Sequence, residues 1–313
     1  MNDAPSRPPV SPLLAFLWGI LAISSGSILA RQALQYASPL VVSAYRLGIA
    51  TFILLPIVWL RKRHEITALR RKDFALAILA GLFLAFHFAS WISSLMYTTV
   101  ASSVVLVSTS PLWVALFAPI LLRESIQRGT VVGMLLALGG TVLVGLSESC
   151  QWLAGELRCP PWQDFFAGQA LWGDLLALFG GVFAAFYLLV GRFLRPRLSL
   201  LSYIFVVYGI AALVLVVWVG RLNLSFVSYP PPAFGWFVAL AILPQLLGHS
   251  TFNWALRYVP TSFVSIALLG EPLGSTFLAY LFLNETPTAM QLFGGGLILA
   301  GLVISSLYQK NSE

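Results

Sequence analysis

Apolar residues in this chain form long unbroken runs rather than the alternating or one-sided patterns of soluble strands and helices. Charges, prolines and glycines bound ten such runs: 13–34, 40–60, 74–96, 100–122, 129–147, 170–190, 200–219, 233–256, 261–283 and 289–308. About 20 apolar residues are needed for a helix to cross the roughly 30 Å hydrocarbon layer, so each run predicts one membrane span. Barrel strands would instead appear as alternating segments of about ten residues, a pattern missing here. Composition agrees: 59% of the 313 residues are hydrophobic, 9% are charged, and mean hydropathy is +0.89. A soluble domain carries about 25% charged residues, so a soluble enzyme is excluded. The expected fold is an all-α membrane protein of ten transmembrane helices. Its N-terminal segment, MNDAPSRPPVSP, is short and polar, and no small-residue cleavage site follows the first apolar run. That run therefore reads as a retained helix rather than a removed signal peptide.

A net charge of +7 does not call for nucleic acid, because the basic residues sit in short connectors and not on one amphipathic face. With the N-terminus in the cytoplasm, fourteen of the eighteen Lys and Arg residues fall inside, led by the Arg61–Lys72 cluster and followed by Arg123, Arg128, Arg192, Arg195, Arg197 and Arg257. Only Arg31, Arg158 and Arg221 fall outside, and Arg46 lies within a span. The positive-inside rule then places both termini in the cytoplasm, and the expected location is the cytoplasmic (inner) membrane of a prokaryote, crossed many times. The longest connector, 148–169, lies outside and holds the two cysteines, Cys150 and Cys159. Their spacing permits a disulfide in an oxidising compartment; two free thiols are the plain alternative.

Sliding the chain against itself by 161 residues brings Gly48-Ile49-Ala50 onto Gly209-Ile210-Ala211, Tyr97 onto Tyr258 and Pro111-Leu112 onto Pro272-Leu273. The same register puts Glu124 on Glu285, Gly133 on Gly294 and Gly140 on Gly301. The chain thus divides into a cytoplasmic tail (1–12), a five-helix repeat (13–147), the external loop (148–169), a second five-helix repeat (170–308) and a cytoplasmic tail (309–313). Five is odd, so the two repeats cross the membrane in opposite senses. Inverted repeats around a midplane cavity are a construction of secondary transporters, which alternate access by rocking one half against the other.

The Trp18-Gly19 pair, Pro39 with Arg46, and Pro111 followed by Arg123-Glu124 resemble the EamA-type half of the drug/metabolite transporter superfamily. So does Gly270-Glu271-Pro272 followed by Asn284-Glu285 and Gly294-Gly295-Gly296. The resemblance implies a carrier of small metabolites, often an exporter of amino acids or related compounds, with a central cavity between the first, third, fourth, sixth, eighth and ninth helices. It does not fix the solute, since fold does not fix function.

Polar groups at membrane depth are costly, at about 2.5–3.5 kcal/mol for a central charge on insertion scales, so those present are candidates for the transport path. Arg46 lies early in the second span, and Glu271 near the middle of the ninth, immediately before Pro272. Glu271 reads as a proton-coupling or substrate-amine site; the alternative is a buried Arg46–Glu271 pair with no part in turnover. His87 and Trp91 are four residues apart on the third helix, and His249 and Asn253 four apart on the eighth, so each pair shares a face. In the 161-residue register His249 falls beside His87, and such a set suits a zwitterionic or aromatic solute. Ser108 and Ser110 add a polar cluster ahead of Pro111, the first-half equivalent of the Glu271–Pro272 region, and both stretches are expected to bend.

Small residues on the fifth and tenth helices, Gly133, Ala137 and Gly140 against Gly294, Ala300 and Gly301, predict close packing of those two helices. No metal site is expected, because two histidines without a third ligand fall short of the usual count, and no cofactor is expected. There is no GxxxxGK[ST] motif for nucleotide binding. Glu124 and Glu285 end their helices at opposite faces and cannot form a catalytic pair. The sequence thus reads as a secondary transporter and not an enzyme, most simply an exporter of small polar or amphipathic metabolites such as amino acids. Export of lipophilic drugs is the alternative, and an intramembrane enzyme or a channel comes behind. Its expected partners are a small-molecule solute, the lipid bilayer and a coupling proton, with the chain a monomer or weak dimer.

Overall fold

Prolines open several of the helices, where a missing N–H costs nothing and φ is already set for the first turn. The first span is Pro12–Ala33, the second Pro39–Arg61, and the eighth begins at Pro231. The structure, a computed structural model, describes residues 8–98, 100–123, 126–153, 156–159, 161, 169–283, 286 and 288–310; Arg7, Glu124, Asn284, Glu285, residues 154–155, 160 and 162–168 of the long connector and the last three residues lie outside that set. The third span is Arg71–Ser94, and the fourth is Val100–Val107 resumed as Ser110–Leu121. The fifth is Arg128–Ser149, the sixth Gln169–Leu194 and the seventh Leu200–Arg221. The eighth runs as Pro231–Leu240, a π-helical stretch Ala241–His249, and Ser250–Ala255. The ninth is Thr261–Ala267, a 3₁₀ turn Leu268–Gly270, and Glu271–Leu283, and the tenth is Ala289–Lys310.

Seven of these segments are individually long and apolar enough to cross a bilayer, and the fifth and tenth contain shorter apolar helices, Arg128–Leu143 and Leu292–Ser305. Side-chain placement fits a lipid surround. Large apolar residues face outward, with Trp18 74%, Phe52 75%, Leu60 81% and Ile120 70% exposed, while Arg46, Gln245 and Asn253 are fully buried. Two features lie outside the apolar-run pattern. A single helical turn, Arg63–Thr67, follows the second span, and a hairpin pairs Gln151–Leu153 with Glu156–Arg158. A disulfide between Cys150 and Cys159, with Cα atoms 4.2 Å apart, closes the base of that hairpin.

Packing repeats itself across the two halves. The second span packs on its counterpart the seventh, and the fifth on the tenth. The third packs on the sixth as the eighth packs on the first, and the fourth on the sixth as the ninth packs on the first. These exchanges are those of two equivalent five-helix bundles related by a pseudo-twofold axis, the arrangement of inverted repeats. The fifth–tenth contact is the closest of all. A methyl group at Gly133 would meet the Gly301 carbonyl oxygen, and one at Gly140 the Gly294 carbonyl oxygen, so only glycine lets these backbones touch.

The two faces of the bundle are tied differently. On the face carrying the termini, Arg197 pairs with Asp73 at 2.5 Å, and the Glu65 carboxylate accepts from Lys62 at 2.6 Å and from the Ser199 backbone N–H at 3.1 Å. On the other face, the 161-residue equivalents of Glu65 and Asp73 are Phe226 and Phe234. There the Tyr45 ring sits edge-on to both and stacks on Phe237 at 4.6 Å. One tie is ionic and the other aromatic, though they occupy equivalent places.

Burial pushes the Glu65 carboxyl up, but hydrogen bonds from Lys62, Ser199 and Ser202 outweigh it and hold it down to about 2. A carboxylate held below its unfolded value of about 4.5 stabilises the folded chain fully above that value, and its contribution disappears as pH falls toward 2. Melting temperature should therefore decline across this window in the wild type and decline less in Glu65→Gln. Equal acid sensitivity of the two proteins would remove the tie.

Candidate functional site

Interruptions in three spans place the polar residues. The fourth span breaks at Ser108–Thr109 and the ninth at Leu268–Gly270. In the 161-residue register these are the same position, and each helix resumes with proline in its second place, Pro111 and Pro272. A proline has no N–H to give the preceding turn. The first span meets the ninth here: the Ser24 hydroxyl, 2.6 Å from its own Ile20 carbonyl, also lies 3.0 Å from the Glu271 backbone carbonyl, and the Ser275 hydroxyl donates to the Ser24 carbonyl at 3.0 Å. The first and ninth spans are thereby stitched at the break.

The third interruption has no first-half counterpart. Pro244 opens the eighth span into nine residues of π-helix, a form found mostly at functional sites. Its ladder directs Gln245 inward, where Oε1 accepts the Arg46 Nε–H at 2.8 Å. Arg46 also lies over the Phe88 ring, its Cζ 4.0 Å from the centroid. Below this, Asn253 Nδ2 donates to the hydroxyls of Tyr187 at 2.5 Å and Tyr208 at 3.2 Å, and Tyr208 meets Ser250 at 3.3 Å.

These elements enclose a hollow of about 680 Å³, part of it open to solvent. His87, Trp91, Ser108 and Ser110 line it from the first repeat and His249, Asn253 and Glu271 from the second, with Arg46 and Tyr187 beside them. All seven residues assigned to a solute site from the sequence thus share one wall. Pro111 and Pro272 are not in that wall; they restart the helices that form it. The His87 and Trp91 rings are parallel, 6.2 Å apart, and His87 faces His249 at 6.2 Å across the pseudo-twofold. His87 is oriented by the Gly180 carbonyl, 2.9 Å from Nδ1. A ring nitrogen fixed in this way leaves Nε2 to face the hollow.

One reading from the sequence does not hold. Arg46 and Glu271 line the same hollow but do not form an ion pair: among the described residues the ion pairs are Lys62–Glu65 and Arg197–Asp73. The guanidinium turns its Nε to Gln245 and its face to Phe88 instead, because the π-helical stretch carries the amide to it. Gln245, Tyr187 and Tyr208 went unrecognised in the sequence. Gln245 left a signal, a lone amide next to a mid-span proline, whereas the two tyrosines are ordinary aromatics of apolar runs. No group of three or more His, Cys, Asp or Glu that would hold a metal is found among the described residues. Chemically the wall offers one guanidinium, one carboxyl, two imidazoles, an amide and three hydroxyls, with aromatic faces between them. It can hold a small solute by several hydrogen bonds at once, but it presents no activated nucleophile.

An uncharacterized transporter of Archaeoglobus fulgidus is 24% identical over 294 residues, covering 92% of this chain and 95% of its own. The uncharacterized transporter YyaM of Bacillus subtilis is 24% identical over 286 residues, covering 89% and 88%. A solved crystal structure superposes with a TM-score of 0.75 over 96% of this chain and 98% of that one, at 19% identity, which speaks for the fold alone. The profile of the EamA-like transporter family matches twice, at residues 10–146 and 171–307. With a duplicated match over most of its length, on a ten-span fold with one polar hollow between its halves, the chain belongs to the EamA-like transporter family.

Proposed function

We propose that the protein is a secondary transporter that exports small polar or amphipathic metabolites, amino acids and their derivatives foremost, by alternating access between its two repeats. One observation carries the reading: the hollow takes its wall from both repeats in nearly equal parts, with His87 and His249 facing each other across the axis. A rocking carrier needs its solute held by both halves while one gate closes and the other opens. The two chemically different ties, ionic at the face of the termini and aromatic at the other, fit gates that open in turn.

The lining favours a polar solute of modest size. His87, His249, Asn253, Ser108 and Ser110 offer hydrogen bonds around the hollow, with Arg46 and Glu271 as its charged groups. The distribution of Lys and Arg supports a cytoplasmic membrane location with both termini in the cytoplasm. We take the working unit as a monomer or weak dimer, without cofactor, driven by a proton.

Counterflow in proteoliposomes tests the reading. Vesicles preloaded with an unlabelled mixture of the L-amino acids should take up labelled amino acids faster than empty vesicles do. Trans-stimulation by tetraphenylphosphonium in place of amino acids would favour the lipophilic-drug reading, and no trans-stimulation by either would remove the carrier.

A further inference from the structure

Among the described residues two arginines are buried, and they differ in how their charge is met. Arg195 is 2% exposed, and carbonyl oxygens take up its donors: Nε donates to Asn253 at 2.8 Å and Nη1 to Leu198 at 2.5 Å. It closes a helix end, with two of its nitrogens given to backbone carbonyls. Arg46 is 0% exposed and lines the hollow. Its Nε is bound to Gln245, yet its Nη1 is buried with no hydrogen-bond partner. Among the described residues no carboxylate oxygen lies within 4.0 Å of it.

A buried guanidinium without a counter-ion is costly, because a charge taken from water needs both an opposite charge and hydrogen bonds to its remaining donors. The protein holds this one ready. Gln245 and the Phe88 ring fix its plane. Two further donors are left open nearby in the same wall and its support, Nε1 of Trp91 and Nε2 of Gln245, the latter on the same amide that binds Arg46. A fixed guanidinium fork with spare N–H groups matches the two oxygens of a carboxylate. Glu271 lines the same hollow without an ion pair and offers a carboxylate to an ammonium group, while the Oδ1 of Asn253 is an acceptor without a partner.

We infer that Arg46 binds the carboxylate of the solute and Glu271 its ammonium group, so that the substrate class is free α-amino acids and not their amides, esters or simple amines. The inference rests on the transport reading of the hollow and narrows it. Solute binding then supplies what the wall lacks, an opposite charge in contact on each side, and a solute without a carboxylate leaves Arg46 Nη1 without a partner.

Thermal shift on the purified full chain is the test, with each of the L-amino acids at millimolar concentration against its C-terminal amide and against inorganic phosphate. At least one free acid should raise the melting temperature while its amide does not. Arg46→Gln should weaken that binding by about 10–100-fold, with Arg46→Lys losing less. If Arg46→Gln fails to fold, the acid-against-amide comparison on the wild type decides alone. Amides that bind as well as acids, phosphate that shifts the protein as much as any amino acid, or no shift by any amino acid would each overturn the assignment. Counterflow of a solute without a carboxylate would overturn it too, yet leave the carrier standing, so the two readings fail separately.

Discussion

Glu271→Gln should abolish gradient-driven transport, down to the level of empty vesicles, while exchange of solute for solute persists. Glu271 is the carboxylate of the hollow, and among the described residues no other acid shares its wall. It begins the second half of the ninth span directly after the 3₁₀ turn, and its backbone carbonyl is tied to Ser24 of the first span. A proton taken up there faces whichever side the hollow opens to, and releasing it to the other side is what harvests a proton gradient. Glutamine keeps the shape and the hydrogen bonding but has no proton to release. Exchange needs only that the two states interconvert with solute bound, so it should survive, at a raised solute concentration because an amide holds the solute ammonium less tightly than the carboxylate does. Driven transport equal to wild type would remove the coupling role; loss of exchange at every solute concentration would leave the carboxylate only its contact with the solute.

Gly140→Leu should cost the protein at least about 3 kcal/mol and with it most of the folded yield in detergent. A Cβ at this place would run into the Gly294 carbonyl oxygen and lie 2.9 Å from the Ile298 backbone nitrogen. Both are backbone atoms of a facing helix, which cannot rotate aside as a side chain would. The fifth and tenth spans would have to separate, and they join the two repeats. The adjacent glycine is the control. Nothing lies within 4 Å of a Cβ placed at Gly139, so Gly139→Leu should stay within about 0.5 kcal/mol of wild type. Similar melting temperatures for the two variants would show that this seam does not hold the halves together.

Span boundaries were legible to within a few residues because the chemistry that ends a membrane helix is local. Pro12, Pro39 and Pro231 open helices, while Arg61 and Arg221 close them, and each can be read where it stands. The breaks in the fourth and ninth spans were legible for the same reason, from Pro111 and Pro272. The π-helical stretch was not. Pro244 sits in an apolar run that continues on both sides, and a proline alone does not say whether the ladder kinks or widens. What it does depends on the neighbours. The first span lies so close that a Cβ at Gly248 would be 3.0 Å from the Ile23 nitrogen.

The same reasoning separates the parts of the wall. His87 with Trp91 and His249 with Asn253 could be paired by helical spacing alone. The partner of Arg46 could not: Gln245 is 199 residues away and reaches it only through the widened turn, so the nearest opposite charge in the same wall, Glu271, was the natural candidate. The tyrosines that hold Asn253 come from the sixth and seventh spans, at separations of 66 and 45 residues, and nothing in their own runs marks them as polar contacts. Long-range polar pairing is set by how helices are arranged, and a periodic pattern records only what each helix buries.

Access to the hollow from both sides of the membrane tests the account most directly. The sequence has two cysteines, and both are in the disulfide, so Ser108→Cys introduces a single free thiol into the wall. A membrane-impermeant maleimide applied separately to right-side-out and inside-out vesicles should modify it from either side, and a transported solute should slow both reactions. Modification from one side only, at a rate indifferent to every solute tried, would contradict a hollow that opens alternately between the two repeats.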